Sequence, residues 1–465
     1  MNEAEGSRPE APVPHRTIVL AVSTVAAFLT PFASSALNVA LPSVGREFSM
    51  SAVLLGWVAT AFILSAAVFL VPFGKFADIH GRKKVFLWGS LGYALTSAFS
   101  AVSPSSGLLL ASRVLQGIAG AGIFSTGVAM LTSAYPLSER GKVLGINVSS
   151  TYLGLSLGPV LGGVLTQNLG WRSIFWIQGA LGLVVFGLVL AYLRGEWAEA
   201  RGERFDAGGS LLLALALIAV MLGLPRLPKP GGWALLGLGL AAGALFIRVE
   251  SVKTNPVLDM SLFRHNAVFA FSNLAALINY SATFAVGFLV SLYLQYGKGL
   301  TPQKAGLILI AQPVMMALFS PLSGRLSDRI EPRLLASAGM ALSVLGLLLL
   351  SFLGPATGFG FIIAALVVLG FGFALFSSPN TNAVMSSVEK RFYGVASATL
   401  GTMRATGQML SMGTAMLLFS LFLGSSAVRP EVFPQFLSAV RTAFWLFAAL
   451  CLVGVFASLS RGKLR

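Results

Sequence analysis

One hydrophobic stretch places a charge and an amide on the same helical face. Residues 107–130 contain a single charged residue, Arg113, and Gln116, Gly117 and Gly120 follow it at i+3, i+4 and i+7. An arginine inside a membrane helix costs roughly 2.5–3.5 kcal/mol on insertion scales, so it usually faces protein or a water-filled cavity. The two glycines allow a neighbouring backbone to come close. Arg113 therefore either binds carbonyl groups of a neighbouring helix or lines a transport pathway with Gln116.

Other polar side chains inside hydrophobic stretches are further candidates for a pathway. Arg404 and Gln408 lie four residues apart and Asn273 and Tyr280 lie seven apart, so each pair shares a helical face. Asn38 lies in the first hydrophobic stretch. Each of these side chains can hydrogen-bond a neighbouring helix as well as a substrate, and both interpretations stay open.

Carboxylates are missing from the interiors of the hydrophobic stretches. All 16 Asp and Glu residues fall in loops, tails or at the ends of the stretches, and the three histidines are scattered. No cluster of acids, histidines and nucleophiles that could perform catalysis is present. We therefore expect no catalytic residues, no metal site and no cofactor, and we do not expect an enzyme.

The composition indicates an integral membrane protein. The chain is 56% hydrophobic and 10% charged, whereas soluble domains contain about 25% charged residues. Fourteen runs reach the length of about 20 residues that a spanning helix needs.

The distribution of basic residues predicts the orientation. Most of the 32 Lys and Arg residues fall on one side of the membrane if the N-terminus is cytoplasmic, as the positive-inside rule requires. The net charge of +16 therefore does not indicate nucleic-acid binding. We expect a multi-pass protein of the cell (inner or plasma) membrane with both termini in the cytoplasm.

The runs divide into two sets of six. Residues 17–193 and 267–458 each contain six strong runs. Between them, residues 194–266 form cytoplasmic linkers with two weaker runs, at about 207–223 and 232–249. Cytoplasmic tails are expected at 1–16 and 459–465. The predicted fold is all-α, with two six-helix bundles and an inserted helical pair, giving 14 spans.

A repeated loop supports duplication of the two halves. Gly74-Lys-Phe-Ala-Asp78 after the second run is echoed by Gly324-Arg-Leu-Ser-Asp328 after the tenth. Duplicated six-helix halves are typical of transporters whose site lies between the halves. Asp78 is able to cap the next helix or pair with a basic residue such as Arg82. We interpret both loops, the second with Arg329, as latches that break when the transporter changes conformation.

Glycines repeat every four residues in the fifth run. Gly154, Gly158 and Gly162 form a smooth strip on which another helix can pack closely. Pro159 removes one backbone hydrogen bond and should bend the helix. Packing alone explains the strip, and the functional interpretation is that the tight contact seals one gate.

Taken together, these motifs resemble the major facilitator superfamily, and in particular its fourteen-helix drug:proton antiporter branch. The resemblance covers about residues 17–458 and implies multidrug-type efflux. The residues that carry it are the loop Gly74–Lys84, the fourth-helix motif Arg113–Gly120, the antiporter motif Gly154–Gly163, and the branch motifs Leu37–Pro42, Gly170–Phe175 and the helix with Arg404.

The first run departs from this branch at one position. Members usually carry an aspartate five positions before the asparagine of Asn38-Val-Ala-Leu-Pro, and Ala33 stands there. That aspartate is commonly associated with proton coupling. The proton gradient remains the energy source that the resemblance implies. Coupling then has to use groups near the cytoplasmic face, such as Asp78, Asp328 or His80, or it is absent.

The sequence thus predicts a monomeric exporter of small hydrophobic or amphipathic compounds that works by alternating access. Its expected partners are membrane lipids and the substrate. The alternative is an exporter or flippase of lipids or anionic amphiphiles that is not coupled to protons. Arg113 and Arg404 have no acidic partner in the spans, which favours anionic or zwitterionic compounds over dications.

Overall fold

The structure is a computed structural model that describes residues 13–198, 200–203, 205–253, 260–327, 329–389, 393–424, 426 and 430–462. Helices dominate these ranges. The first group is α1 (Val13–Glu47), α2 (Ala52–His80), α3 (Arg82–Ala101), α4 (Ser106–Ala134), α5 (Leu137–Leu169) and α6 (Arg172–Tyr192), and the inserted pair is α7 (Ala207–Gly223) and α8 (Pro230–Glu250). The second group is α9 (Ser261–His265), α10 (Ala267–Thr283), α11 (Val286–Leu292), α12 (Pro302–Leu309), α13 (Ala311–Ser327), α14 (Pro332–Ser351), α15 (Phe359–Ser386), α16 (Tyr393–Leu423) and α17 (Phe433–Leu459).

Thirteen helical segments in the described ranges are long and apolar enough to cross a membrane. Two of them are each built from two helices, because α10 continues through α11 to Gly297 and α12 continues into α13. A helix, α3, also stands at the third predicted span. It begins with Arg82, Lys83 and Lys84 and is less apolar than the others. The membrane-spanning helical fold is therefore confirmed, and the count of 14 spans stays a prediction.

Closely approaching glycines join the helices within each half. In the first half, a Cβ on Gly89 of α3 would lie 3.0 Å from the Ala119 carbonyl oxygen of α4. In the second half, a Cβ on Gly372 of α15 would lie 2.7 Å from the Gly339 carbonyl oxygen of α14. Corresponding helix pairs of the two halves thus use the same kind of contact, as the internal repeat predicts.

The inserted pair packs against the interface between α2 of the first half and α16 of the second half. Leu64 of α2, Met221 of α7 and Met409 and Met416 of α16 belong to one buried cluster. A Cβ on Gly413 of α16 would lie 2.7 Å from Leu224 Cδ1, directly after α7. The pair therefore contacts both halves.

The two ends of the helix bundle can be assigned from the contacts of α2 with α16. A Cβ on Gly56 would overlap Met416, and a Cβ on Gly401 would lie 3.9 Å from Leu70, so the helices run antiparallel. The N-terminus of α16 consequently lies at the same end of the bundle as the C-terminus of α2. The N-terminus of α1 lies at this end too. We call this the termini end, because α17 also finishes there, and we call the opposite one the far end.

Candidate functional site

The two halves are joined by hydrogen bonds near the far end. The Ser291 hydroxyl donates to the Asn38 carbonyl at 2.7 Å, and Gln295 Nε2 donates to the Val39 carbonyl at 2.8 Å. Pro42, also within α1, offers its carbonyl to the Tyr296 hydroxyl at 3.3 Å. These bonds link the last turns of α1 to the helix that begins the second half. They hold the halves together at the far end.

A second contact between the halves joins α5 to α12. A Cβ on Gly163 would lie 2.6 Å from the Pro302 carbonyl oxygen, and a Cβ on Gly306 would overlap the Pro159 carbonyl. Backbone therefore touches backbone on this side of the bundle, and no larger residue fits at either glycine without a shift of the helices. The far end is closed here as well.

A cavity of about 510 Å³ lies between the halves. This volume falls in the range of about 300–1,000 Å³ that is common for small-molecule sites. Its lining residues on α4, α5 and α16 fall mainly in the parts of those helices nearer to the termini end. Among the predicted pathway residues, Asn38, Tyr280, Arg404 and Gln408 line it together.

The cavity combines an apolar wall with scattered polar groups. The apolar wall comes mainly from α2 and α4, through Phe62, Ile63, Ala66, Leu70, Ile123 and Phe124. Serine and threonine residues that the sequence did not single out also line it, namely Ser23, Thr30, Ser34, Ser35, Thr151, Thr283 and Ser377. Serine and threonine commonly bond to carbonyl groups of their own helix, so the sequence offered no signal that separates lining from packing hydroxyls.

Arg404 lies on the cavity wall and is half-buried. Its Nη2 donates to the Thr381 hydroxyl at 2.6 Å, and its guanidinium carbon lies 5.7 Å from the ring centre of Tyr280. Gly407 makes this position possible, because its missing Cβ would lie 2.6 Å from the Leu277 carbonyl oxygen of α10. The close approach of α16 to α10 holds the guanidinium over the tyrosine ring.

Arg113 has a different environment, inside the first half. Its Nε donates to the Val58 carbonyl of α2 at 3.2 Å, and its Nη1 donates to Gln116 Oε1. The guanidinium carbon lies 4.7 Å from the ring centre of Phe62. Gly117 packs on the Phe62 backbone, which confirms that this glycine admits a neighbouring helix.

Gln116 extends this arrangement into a network of amides. Its Nε2 donates to Ser97 Oγ at 2.7 Å and to Gln178 Oε1 at 2.9 Å. Gln178 Oε1 also accepts from the Tyr93 hydroxyl at 3.3 Å. These hydrogen bonds link α2, α3, α4 and α6. Because Arg113 is only 1% exposed, the network lies in the core of the first half.

The cavity lining does not include Arg113, Gln116 or Asn273. Asn273 is fully buried and donates to the Phe269 carbonyl of its own helix at 2.9 Å. In this conformation Arg113 binds a carbonyl of a neighbouring helix, which is the first of its two predicted roles, and does not line the cavity. A pathway role for these three residues stays a prediction, which would require another conformation.

The loop between α2 and α3 contains the predicted Asp78–Arg82 pair. Arg82 Nε lies 2.7 Å from Asp78 Oδ1, and Arg82 Nη1 donates to Ser133 Oγ of α4 at 2.7 Å. Gly81 between the helices has a φ of 120°, which only glycine adopts readily. Gly74 has only the Ser125 side chain near its Cβ position, at 3.7 Å. The pair joins three helices of one half, and its opening during transport stays a prediction.

The linker after α6 docks on this loop, which the sequence did not indicate. Glu196 Oε1 accepts from the Lys83 backbone N–H at 2.8 Å and so caps α3, the role considered for Asp78. Lys75 pairs with Glu203 at 2.5 Å. These partners lie more than 100 residues apart in the chain, and local sequence patterns carry no signal for them.

The second copy of the loop is only partly described. Asp328 lies outside the described residues, and its role in a latch stays a prediction. Arg329, which follows it, is exposed near the termini end.

The glycine strip of α5 faces α1 within the first half. A Cβ on Gly154 would lie 2.5 Å from the Phe28 carbonyl oxygen, and a Cβ on Gly162 would lie 2.6 Å from Ala36 Cα. Gly158 packs on Ser35 in the same way. The strip therefore packs two helices of one half. Pro159 and Gly163 of the same motif instead touch the second half, at Gly306 and Pro302.

Comparison with known proteins agrees with this architecture. The family model described as Major Facilitator Superfamily matches residues 24–278 and 272–463. A crystal structure of a bacterial homologue of the human lysosomal transporter Spinster, in an inward-facing and unoccupied conformation, superimposes with a TM-score of 0.72. The identity is 16%, and the match covers 97% of this chain and 98% of the other, so it shows the fold alone.

Sequence relatives support the same assignment. The chain is 28% identical over 445 residues to the riboflavin transporter RibZ of Clostridioides difficile, covering 94% of this chain and 96% of RibZ. It is 32% identical over 380 residues to the multidrug resistance protein Stp of Mycobacterium tuberculosis, covering 80% of this chain and 70% of Stp. Helices that cross a membrane and enclose a cavity between two halves define a membrane transporter. The chain belongs to the major facilitator superfamily.

Proposed function

We propose that the protein exports small amphipathic compounds from the cytoplasm through the cavity between its halves. The observation that carries this proposal is the combination of a cavity of about 510 Å³ with hydrogen bonds that close the far end. If both termini are cytoplasmic, as the distribution of basic residues predicts, the closed far end faces the outside and the cavity lies toward the cytoplasm. Opening the far end and closing the termini end would release the substrate outside, as in alternating access.

The composition of the cavity supports an amphipathic substrate. The apolar wall from α2 and α4 suits a hydrophobic body, while Asn38, Gln408 and Arg404 offer hydrogen bonds to a polar group. Relatives include proteins named for multidrug resistance and for export of cephamycin and tetracenomycin C. One relative is named a riboflavin transporter, so riboflavin belongs among the compounds to be tested.

The proton gradient is the proposed energy source, through a route that avoids the first helix. Ala33 is buried at the position where the branch usually carries its aspartate, and the described cavity lining contains no carboxylate. The Asp78–Arg82 pair near the termini end then becomes the first coupling candidate. The alternative is transport that does not depend on protons.

Transport into lipid vesicles that contain the purified protein with its termini facing outward tests this function. Purified protein is reconstituted with a fluorescent amphiphile outside the vesicles and an imposed pH difference of either sign. We expect accumulation that depends on the protein and follows the pH difference. Empty vesicles are one control. The other is protein with cysteines introduced at Ser291 and Asn38, compared before and after these cysteines are crosslinked, because Asn38 itself lines the cavity. Flux that ignores the pH difference would contradict proton coupling, and the absence of flux for all compounds would contradict export.

A further inference from the structure

We propose that Arg404 is the anion-binding residue of the cavity, and that the transported compounds are amphiphiles with a single anionic head group. This inference rests on the proposed function and assigns it a substrate class. The anionic group is a carboxylate, a sulfonate or a phosphate, since all three present the oxygen acceptors that a guanidinium binds best.

The charge balance of the cavity is the first observation. Among the described residues that line it, Arg404 alone carries a full charge. The described carboxylates that pair with arginines lie elsewhere, as in Asp78–Arg82 and Glu47–Arg172 at helix ends. The cavity is therefore positive in a region where charge is costly to bury, and an anion offsets that cost.

The unused hydrogen-bonding capacity of Arg404 is the second observation. A guanidinium has five N–H donors, and Thr381 is the one hydrogen-bond partner of Arg404 among the described residues. The Thr381 hydroxyl donates its own proton to the Ser377 carbonyl at 2.8 Å, so it serves Arg404 as a neutral acceptor. Nε of Arg404 is buried and has no acceptor. A structural arginine would be expected to use its donors as fully as the fold allows.

The surroundings of the guanidinium fit a head group with an attached hydrophobic body. Tyr280 lies beneath the guanidinium and is itself fixed by an edge-on contact with Phe373, with ring centres 5.3 Å apart. Gln408 follows Arg404 by one turn and lines the same cavity. An anion held at Arg404 would leave its apolar part free to pack on Phe62 and Phe124, which line the cavity on α2 and α4.

A cationic head group is disfavoured by the same geometry. An ammonium group in the cavity would meet the positive charge of Arg404 and no described carboxylate. Aromatic rings attract cations, but here the Tyr280 ring already interacts with a guanidinium. Neutral compounds avoid the repulsion but leave the donors of Arg404 unused. The expected order of affinity is therefore anion, then neutral compound, then cation.

Three probes with one hydrophobic body test this order. Pyrenebutyrate, pyrenebutanol and pyrenebutylammonium differ only in head group, and binding to the protein in lipid nanodiscs is followed by fluorescence polarisation. We expect the carboxylate to bind most tightly, and Arg404→Gln to weaken its binding about tenfold while changing the alcohol less than twofold. Arg404→Lys should restore part of the lost affinity, because it keeps the charge and loses the planar donors.

Arg441→Gln is the matched control, because Arg441 is exposed and donates to the Ser351 carbonyl outside the cavity. It should leave all three affinities unchanged. Tightest binding of the ammonium probe, or an equal loss for all probes in Arg404→Gln, would overturn the proposal. A pyrene-labelled lysophosphatidate in the same assay separates a lipid source of the anion from a soluble one. If the lipid alone depends on Arg404, the anion is a lipid head group.

Transport of the same probes into vesicles is measured separately. If binding depends on the head group and on Arg404, the role of Arg404 is supported whether or not the probes are transported. If the probes bind but none is transported, that result contradicts the proposed export function alone. Transport of all three probes at equal rates, with equal affinities, would contradict only the anion preference.

Discussion

The two arginines inside the membrane-spanning helices have the same chemistry but different surroundings. Arg113 in the first half is 1% exposed and belongs to a network with Gln116 and a carbonyl of α2. Arg404 in the second half lines the cavity and has one hydroxyl as hydrogen-bond partner among the described residues. Two nitrogens of Arg113 donate to protein groups in the core, whereas Nε of Arg404 has no acceptor and this arginine lies on the wall of a cavity that a ligand can enter.

A glycine beside each arginine produces this difference. Gly117 follows Arg113 by four residues and lets α4 touch α2 at Phe62, so the arginine meets backbone. Gly407 follows Arg404 by three residues and lets α16 touch α10 at Leu277 and Tyr280, so the arginine meets an aromatic ring at the cavity edge. Each arginine is followed by a glycine and a glutamine, but in opposite order, and a different helix approaches each glycine, so the two arginines have different surroundings.

The strongest test of this comparison exchanges each arginine for glutamine and measures transport of an anionic amphiphile per folded molecule. Arg404→Gln should reduce transport at low substrate concentration roughly tenfold to hundredfold, since a hydrogen bond to a charged group contributes about 1.5–3 kcal/mol. Arg113→Gln should retain most of the transport of the molecules that fold. Equal losses in both variants would remove the distinction.

The next test measures stability. Arg113→Leu should lower the free energy of unfolding by about 1–3 kcal/mol, because Gln116 Oε1 loses its donor while remaining buried. Thermal unfolding of purified protein in detergent is the measurement. The double variant Arg113→Leu with Gln116→Leu should lose less than the sum of the single variants, since the residues share one network. Strict additivity would show that the two side chains do not depend on each other.

A third test asks whether the contact between α5 and α12 keeps the far end closed, so that Arg404 is reached from the termini end alone. Gly163→Val would place a side chain against the Pro302 carbonyl and should loosen the closed far end. A cysteine introduced at Ser291, which helps close that end, should then react severalfold faster with a membrane-impermeant maleimide added outside. Gly145→Val is the control, because no atom lies within 4 Å of its Cβ position. Unchanged labelling in Gly163→Val would contradict the assignment of the seal.

The smallest effect is expected for a pair of charges outside the spans. Burial tends to raise the pKa of Asp206, but hydrogen bonds from Lys253 and the Gly209 N–H outweigh it and lower that pKa below its usual value. A carboxyl group with a lowered pKa stabilises the fold above its ordinary pKa of about 3.9, and this contribution is lost as the pH falls. Asp206→Asn should therefore cost about 1 kcal/mol or less at pH 7.

The measurement is the thermal unfolding midpoint between pH 7 and about pH 3, compared with the Arg113 variants. The native chain should keep its advantage over Asp206→Asn down to about pH 4 and lose it progressively at lower pH, because the ordinary pKa of the carboxyl group is about 3.9 and its folded pKa lies below that. A difference that grows with acidity would show that the sign of the pKa shift is wrong.

Much of the fold followed from the sequence because membrane insertion imposes strong local requirements. The inserted helices predicted at about 207–223 and 232–249 are observed as Ala207–Gly223 and Pro230–Glu250. Long apolar runs must become helices in lipid, since no water is available for the backbone groups. The docking of Glu196 on α3 was not predicted, because it joins segments that no local pattern relates.

The sequence by itself determined that the protein spans a membrane with helices, that its halves are related by a repeat, and that the span interiors lack carboxylates. It named the two arginines and left the same two interpretations, packing or pathway lining, open for both. Only the tertiary structure placed them in different environments, because the face a helix shares with its neighbours is fixed by packing in three dimensions. Four of the seven predicted pathway residues meet in the cavity, Arg404 among them, while Arg113 lies behind α2 in the core of the first half.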